Sequence, residues 1–171
     1  MGEEIPAEKP TKKPAKKSGE WQFASIVSLI GKWAWVIIIV NAIIYVIWGL
    51  YSFFTAYAVW QTLRNYYISL GWTVPPFSGA FTPIWYLIGA IIAIIFALLI
   101  IKKKFSDKCG NKDWDALYDW VLVAGNIRIP WMLIWGIILE VFTVGWGGLA
   151  VLIPAVLLIF IGPKPYKWST K

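Results

Sequence analysis

The stretch Trp33–Tyr57, WAWVIIIVNAIIYVIWGLYSFFTAY, decides the class of fold. Its interior polar groups are Asn41, Ser52 and Thr55, and it carries no charge. About 20 such residues cross the ~30 Å hydrocarbon core of a bilayer as an α-helix, and only helices and closed barrels satisfy their backbone there. Pro83–Ile101, PIWYLIGAIIAIIFALLII, repeats the pattern, again without charge. Thr82-Pro83 suits its start, because threonine can cap and proline is preorganised at the first helical position. Two shorter apolar runs follow, about 130–144 and 147–161, joined at Val144-Gly145-Trp146-Gly147-Gly148. Each is ~22 Å long at ~1.5 Å per residue. The expected fold is an all-α integral membrane protein: a bundle of four hydrophobic helices, about 33–57, 83–101, 130–144 and 147–161. Two of these are full spans and two form a short C-terminal helical hairpin. Spanning and re-entrant hairpins both return the chain to the side it came from. The lipid-compatible composition of 130–161, apart from Glu140 and Pro154, favours spanning.

Outward from these runs, three flanking stretches read as amphipathic interfacial helices. In 21–32, Phe23, Ile26, Val27 and Ile30 share a face; in 58–70, Trp60, Leu63, Tyr67 and Leu70 do. In 113–125, Trp114, Leu117, Tyr118, Val121 and Leu122 lie opposite Asp115 and Asp119. The third helix requires a break at Gly125-Asn126. An unbroken helix from Leu117 to Phe142 would carry Arg128 into the bilayer, at ~2.5–3.5 kcal/mol if central. It would also place Pro130 in a helix interior, at ~3 kcal/mol. The break is the preferred reading.

Residues 1–20 are of another kind. PAEK-PTKK-PAKK, with Pro6, Pro10 and Pro14 in register, has almost nothing apolar to bury. An extended, solvated tail is expected there, and no apolar run follows the start as a secretory signal requires. The organisation is therefore a tail over 1–20, a membrane domain over 21–162 and a C-terminal tail over 163–171.

Composition agrees. The chain is 59% hydrophobic and only 15% charged, where soluble domains carry about 25% charged residues. Lys+Arg number 16 against nine Asp+Glu, a formal charge of +7. With both termini cytoplasmic, 14 of the 16 basic residues fall on the cytoplasmic side, as the positive-inside rule demands. Lys12, Lys13, Lys16 and Lys17 of the tail, and Lys102, Lys103 and Lys104 after the second span, are candidate contacts to anionic headgroups, each worth ~1 kcal/mol near the surface. The lipid bilayer and other membrane helices, in a homo-oligomer or hetero-complex, are the expected partners; nucleic acid is not. Most of the 13 tryptophans fall near expected helix ends, as an aromatic belt does.

The chain has no histidine and one cysteine. That excludes His-ligated metals, Ser-His and Cys-His nucleophile pairs, and Cys-held zinc or Fe–S clusters within one chain. No phosphate-binding loop, dinucleotide fingerprint or nucleophile elbow occurs. No cofactor, metal or catalytic residue is expected. Intramembrane polar groups are the remaining functional candidates. Asn41 lies nine residues past Lys32, ~13–14 Å deep, and Glu140 twelve past Arg128, ~18 Å deep. These two could meet across helices, with Asn126 and Arg128 at the inner end of the third run. The preferred function is a non-catalytic accessory or scaffold subunit or a membrane-organising protein. The alternative is a small oligomeric channel or carrier using Glu140 as its carboxyl.

Overall fold

A computed structural model describes residues 21–143 and 145–170. The tail over 1–20, with Lys12, Lys13, Lys16 and Lys17, lies outside the described residues. Between Ala24 and Ser69 there is no proline, and both glycines of the stretch sit where another helix comes close. The result is one helix, α1 (Ala24–Ser69), of 46 residues, ~69 Å long at ~1.5 Å per residue. This corrects the expected division into an interfacial helix at 21–32, a span at 33–57 and an interfacial helix at 58–70: no residue in between breaks the backbone pattern, so the helix runs through. Its buried face is Ala24, Val27, Gly31, Ala34, Ile38 and Asn41, spaced alternately by three and four residues. Small side chains along that stripe let a neighbouring backbone approach closely.

The neighbour is α2 (Phe81–Gly110), which runs past Ile101 and the three lysines. It lies antiparallel to α1: Gly49 faces Pro83 and Leu87 at one end, and Gly31 faces Cys109 and Phe105 at the other. A Cβ on Gly31 would collide with the Cys109 side chain. From Ala97 to Ser106 the helix is wound as a π-helix. Ala93, Ala97, Ile101, Phe105 and Cys109 are all buried, at intervals of four. An α-helix turns about 100° per residue, so a four-residue repeat drifts around it. The wider i→i+5 winding takes up that drift and keeps the row against α1. Among the described residues, α1 and α2 are the two helices long and apolar enough to cross a membrane.

After Lys112, which adopts φ 55, comes a short helix α3 (Trp114–Asp119), N-capped by Asp113. The expected interfacial helix over 113–125 stops there. Val121–Ala124 (β1) and Ile127–Pro130 (β2) form an antiparallel hairpin, with Ala124 opposite Ile127 and Val121 opposite Pro130. Half of each strand is β-branched, Val121 and Val123 in one and Ile127 and Ile129 in the other, and Gly125 enters the two-residue turn with φ +62, as a glycine-first hairpin turn requires. The helical spacing of Trp114 through Leu122 is thus split between a helix and a strand.

Pro130 closes β2, and α4 (Trp131–Thr143) starts directly after it. α5 (Leu149–Ile161) follows the glycine turn. The two pack with almost no separation: a Cβ on Gly136 would lie 2.6 Å from the Leu152 side chain. α4 also meets α2, where Gly89 abuts the Phe142 carbonyl, and α5 packs along α1. The shared core includes Ile38, Ala93, Ile101, Met132, Leu139 and Leu158.

The segment after α5 is not a free tail. Arg128 N–H donates to the Trp168 carbonyl (2.9 Å) and Thr170 N–H to the Asn126 carbonyl (3.1 Å), with Ile127 opposite Ser169. Residues 168–170 of the expected tail over 163–171 therefore pair, through an isolated bridge, with the edge of β2. An unpaired strand edge is a template for any extended segment, and here the chain's own end supplies one.

Candidate functional site

Asn41 and Glu140 come to the same level of the molecule, and each is used by the α4–α5 turn. Asn41, 3% exposed, donates from Nδ2 to the Thr143 carbonyl at 3.3 Å. Thr143 is the last residue of α4, so that carbonyl has no partner within its own helix; the Asn41 amide supplies one. Thr143 Oγ1 meanwhile donates back to Leu139 O at 2.7 Å. Glu140 lies one turn earlier on α4 and faces the start of α5. A Cβ on Gly148 would sit 2.7 Å from Glu140 Oε2 and 2.5 Å from Glu140 N and Gly136 O. In the first turn of α5 the Ala150 N–H donates to the Trp146 carbonyl, and the Val151 and Leu152 N–H groups donate to the Gly148 carbonyl. Oε2 is buried and accepts no hydrogen bond from the described residues.

Two tyrosines complete this layer. Tyr45, one turn after Asn41, stands edge-on to Tyr86 of α2 with ring centroids 5.1 Å apart. A Cβ on Gly145 would lie 3.4 Å from the Tyr45 hydroxyl. Polar groups of α1, α2 and α4 therefore gather around one turn. Asn41 also lies on the floor of an apolar groove of about 330 Å³ lined by Trp33, Val36, Val40, Ile44 and Trp146.

Asn126 and Arg128 are not part of this layer. They sit in the β-hairpin at the opposite end of α4, together with the lysines. Lys32 packs on Gly110, Lys102 Nζ stands 4.7 Å over the Trp35 ring, and Lys108 Nζ pairs with Asp113 at 2.9 Å. That ammonium and the Ala116 N–H hold the Asp113 carboxyl below its usual range. Lys164 pairs with Asp115. Lys103 and Lys104 are exposed on α2. Among the described basic residues, Arg64 alone belongs to the far end, some 48 Å along α1 from Lys32 by helical rise.

The same end holds residues that sequence reasoning missed. Tyr118, 4% exposed, donates to the Leu158 carbonyl at 2.6 Å and lies 3.0 Å from the Lys164 carbonyl. Burial pushes its hydroxyl above the ordinary tyrosine value, so it stays a donor. Tyr166 donates to the Arg128 carbonyl at 3.0 Å and is likewise raised by burial. Each bond joins segments about forty residues apart, and no local spacing announces such a pairing. Among the described residues, no group of three His, Cys, Asp or Glu side chains is placed to hold a metal ion. No protein-family model, curated protein or solved structure matches this chain.

Proposed function

We propose that the chain is a multi-pass membrane protein with both termini on the cytoplasmic side, acting as a non-catalytic accessory or scaffold subunit that holds other membrane-associated chains. α1 carries this reading. A bilayer core of ~30 Å takes about 20 helical residues. A span beginning at Lys32 ends near Ser52, and the helix continues for a further 17 residues to Ser69. That arm exposes Phe54, Val59, Leu63, Tyr66 and Ile68. An exposed aromatic and aliphatic helix face is the kind of surface a partner helix or an interfacial lipid layer covers. α4 and α5, at 13 residues each, are ~20 Å long, so they would thin the bilayer locally or lean on a partner. Lysines gathered at one end, against the single Arg64 at the other, support the orientation.

The test is purification of the intact chain in mild detergent, with native mass and co-purifying chains measured. A hetero-complex that falls apart when Leu63 and Tyr66 are both changed to Ser supports the reading. A lone monomer contradicts it.

A second reading has one observation in its favour, the buried Glu140 Oε2 without a hydrogen bond among the described residues. Intramembrane carboxyls of that kind serve proton and cation pathways, and in an oligomer this one would line such a path. Glu140→Gln should then abolish a liposome flux while leaving assembly intact. Absence of flux through the wild-type chain ends that reading.

A further inference from the structure

At the lysine-rich end a cavity of about 280 Å³ opens between α3, β2 and the C-terminal segment. The rings of Tyr118 and Tyr166 stack with centroids 6.0 Å apart and form one wall. Both hydroxyls donate to backbone carbonyls, so they fix the cavity's shape instead of offering protons to an occupant. The remaining donors are all cationic: Arg128, Lys164 and Lys167. Lys164 and Lys167 reach this place because residues 168–170 pair with Asn126–Arg128.

The carboxylates nearby compete weakly. Asp119, also on the lining, approaches Arg128 Nη2 at 3.7 Å, and Asp115 holds Lys164 from outside. Both acidic side chains are 80% exposed while Arg128 is 26% exposed, so water screens the acids. Among the described residues, no carboxylate comes within ion-pair distance of Lys167. Three cations against one lining carboxylate, on a partly apolar concavity, make an anion site. A guanidinium beside two ammoniums suits the tetrahedral oxygens of phosphate: the planar fork donates two parallel bonds and the lysines act as point charges.

We infer that this cavity binds a phosphate group, borne by an anionic lipid headgroup or by a free phosphate. Its volume lies just below the ~300–1,000 Å³ of ordinary ligand pockets, which favours a headgroup-sized occupant. The lipid source rests on the proposed membrane placement; the phosphate chemistry does not.

The test uses the full chain with two probes. Inorganic phosphate is titrated onto detergent-purified protein, and nanodiscs of phosphatidylcholine with or without phosphatidic acid are scored for lipid retained on the protein. Arg128→Gln and Lys167→Gln should each weaken binding of the effective probe about tenfold. Lys32→Gln removes the same single charge at the same end, at an exposed position outside the cavity, and should change binding less than twofold. Phosphatidic acid retained without inorganic phosphate binding identifies the lipid as source; tight inorganic phosphate binding identifies the free anion. Equal losses in the Lys32→Gln variant, or no binding of either probe by the wild-type chain, overturn the assignment. Lys167 is exposed and outside any helix, so its variant decides the matter even if Arg128→Gln fails to fold. Inorganic phosphate binding in detergent is read whether or not the chain proves to reside in a membrane.

Discussion

At the lysine-rich end, α3, α5, the β-hairpin and the C-terminal segment are joined by directional bonds: Tyr118 to Leu158, Tyr166 to Arg128, and the pairing of 168–170 with 126–128. At the other end, the connection 70–80 lies back on α1 through Phe77, whose ring meets Phe53, Tyr57 and Trp60, and through one side-chain hydrogen bond, Trp60 Nε1 to Pro75 O at 3.0 Å. The first end is held by one buried and one part-buried bond between distant segments, with a strand-edge pairing beside them. The second is held by mostly half-buried ring contacts and one exposed hydrogen bond between closer segments, and ring contacts tolerate sliding. Local stability follows buried contacts and protected bonds, so the lysine-rich end should open with the whole fold and the aromatic end should open alone. A rigid charged end and an adaptable aromatic arm suit the proposed division between lipid-facing anchor and partner-facing surface.

The largest effect is expected where the rigid end has no spare room. A Cβ on Gly162 meets the Leu158 carbonyl and the Tyr118 hydroxyl, so Gly162→Val should lower stability by about 3 kcal/mol, as overpacking does. Denaturation in detergent measures it, and early proteolysis of residues 163–170 should accompany the loss. Tyr118→Phe keeps the ring but removes the bond to Leu158, and is expected to cost about 1–2 kcal/mol because a buried carbonyl loses its donor. Trp60→Phe at the aromatic end should cost only about 0.5 kcal/mol, the bond being exposed, while hydrogen exchange rises in 72–80 alone. Comparable costs at Tyr118 and Trp60 would erase the contrast between the ends.

The smallest effect is one of pH. Asp113 has a carboxyl held low by Lys108 and by the Ala116 N–H it caps. A depressed carboxyl stabilises the fold above its unfolded value near 3.8, and that contribution disappears as pH falls through the folded value. Protection of the α3 amides, corrected for intrinsic exchange, should therefore fall in acid below about pH 4, and Asp113→Asn should remove the dependence. Cys109, fully buried against Gly31, offers a further check on the closed end. It should resist a maleimide until the fold is denatured, and prompt labelling would mean that α1 and α2 part there.

Much of the scaffold was legible in the residues. The apolar runs around Trp33–Tyr57 and Pro83–Ile101 are the two long helices, and Gly125-Asn126 with Pro130 is the break before α4. What escaped had physical causes. Periodicity marks a helix but not its end, so α1 was divided where polarity changed although nothing stops its backbone. Trp114, Leu117, Tyr118, Val121 and Leu122 fit a helical face, and tertiary pairing overrode that spacing after Asp119. The π-wound stretch was visible only as a four-residue spacing of Ala97, Ile101 and Phe105, which takes its meaning from the partner helix. Asn41 and Glu140 were legible as polar groups in apolar runs. Their use, one serving the end of α4 and the other facing the start of α5, depends on where the glycine turn falls. The Tyr118–Tyr166 cavity had no local signature, because its walls come from segments about forty residues apart.

The central claim is that the two ends lie on opposite sides of a membrane. Labelling with a membrane-impermeant maleimide tests it most directly, on intact cells producing the chain with Cys109→Ala and either Ser78→Cys or Lys104→Cys. Both positions are exposed, one in the connection after α1 and one beyond the apolar part of α2. The account predicts that Ser78→Cys labels on intact cells and that Lys104→Cys labels only after permeabilisation. Labelling of both positions alike before permeabilisation, or recovery of the chain in the soluble fraction, would contradict it.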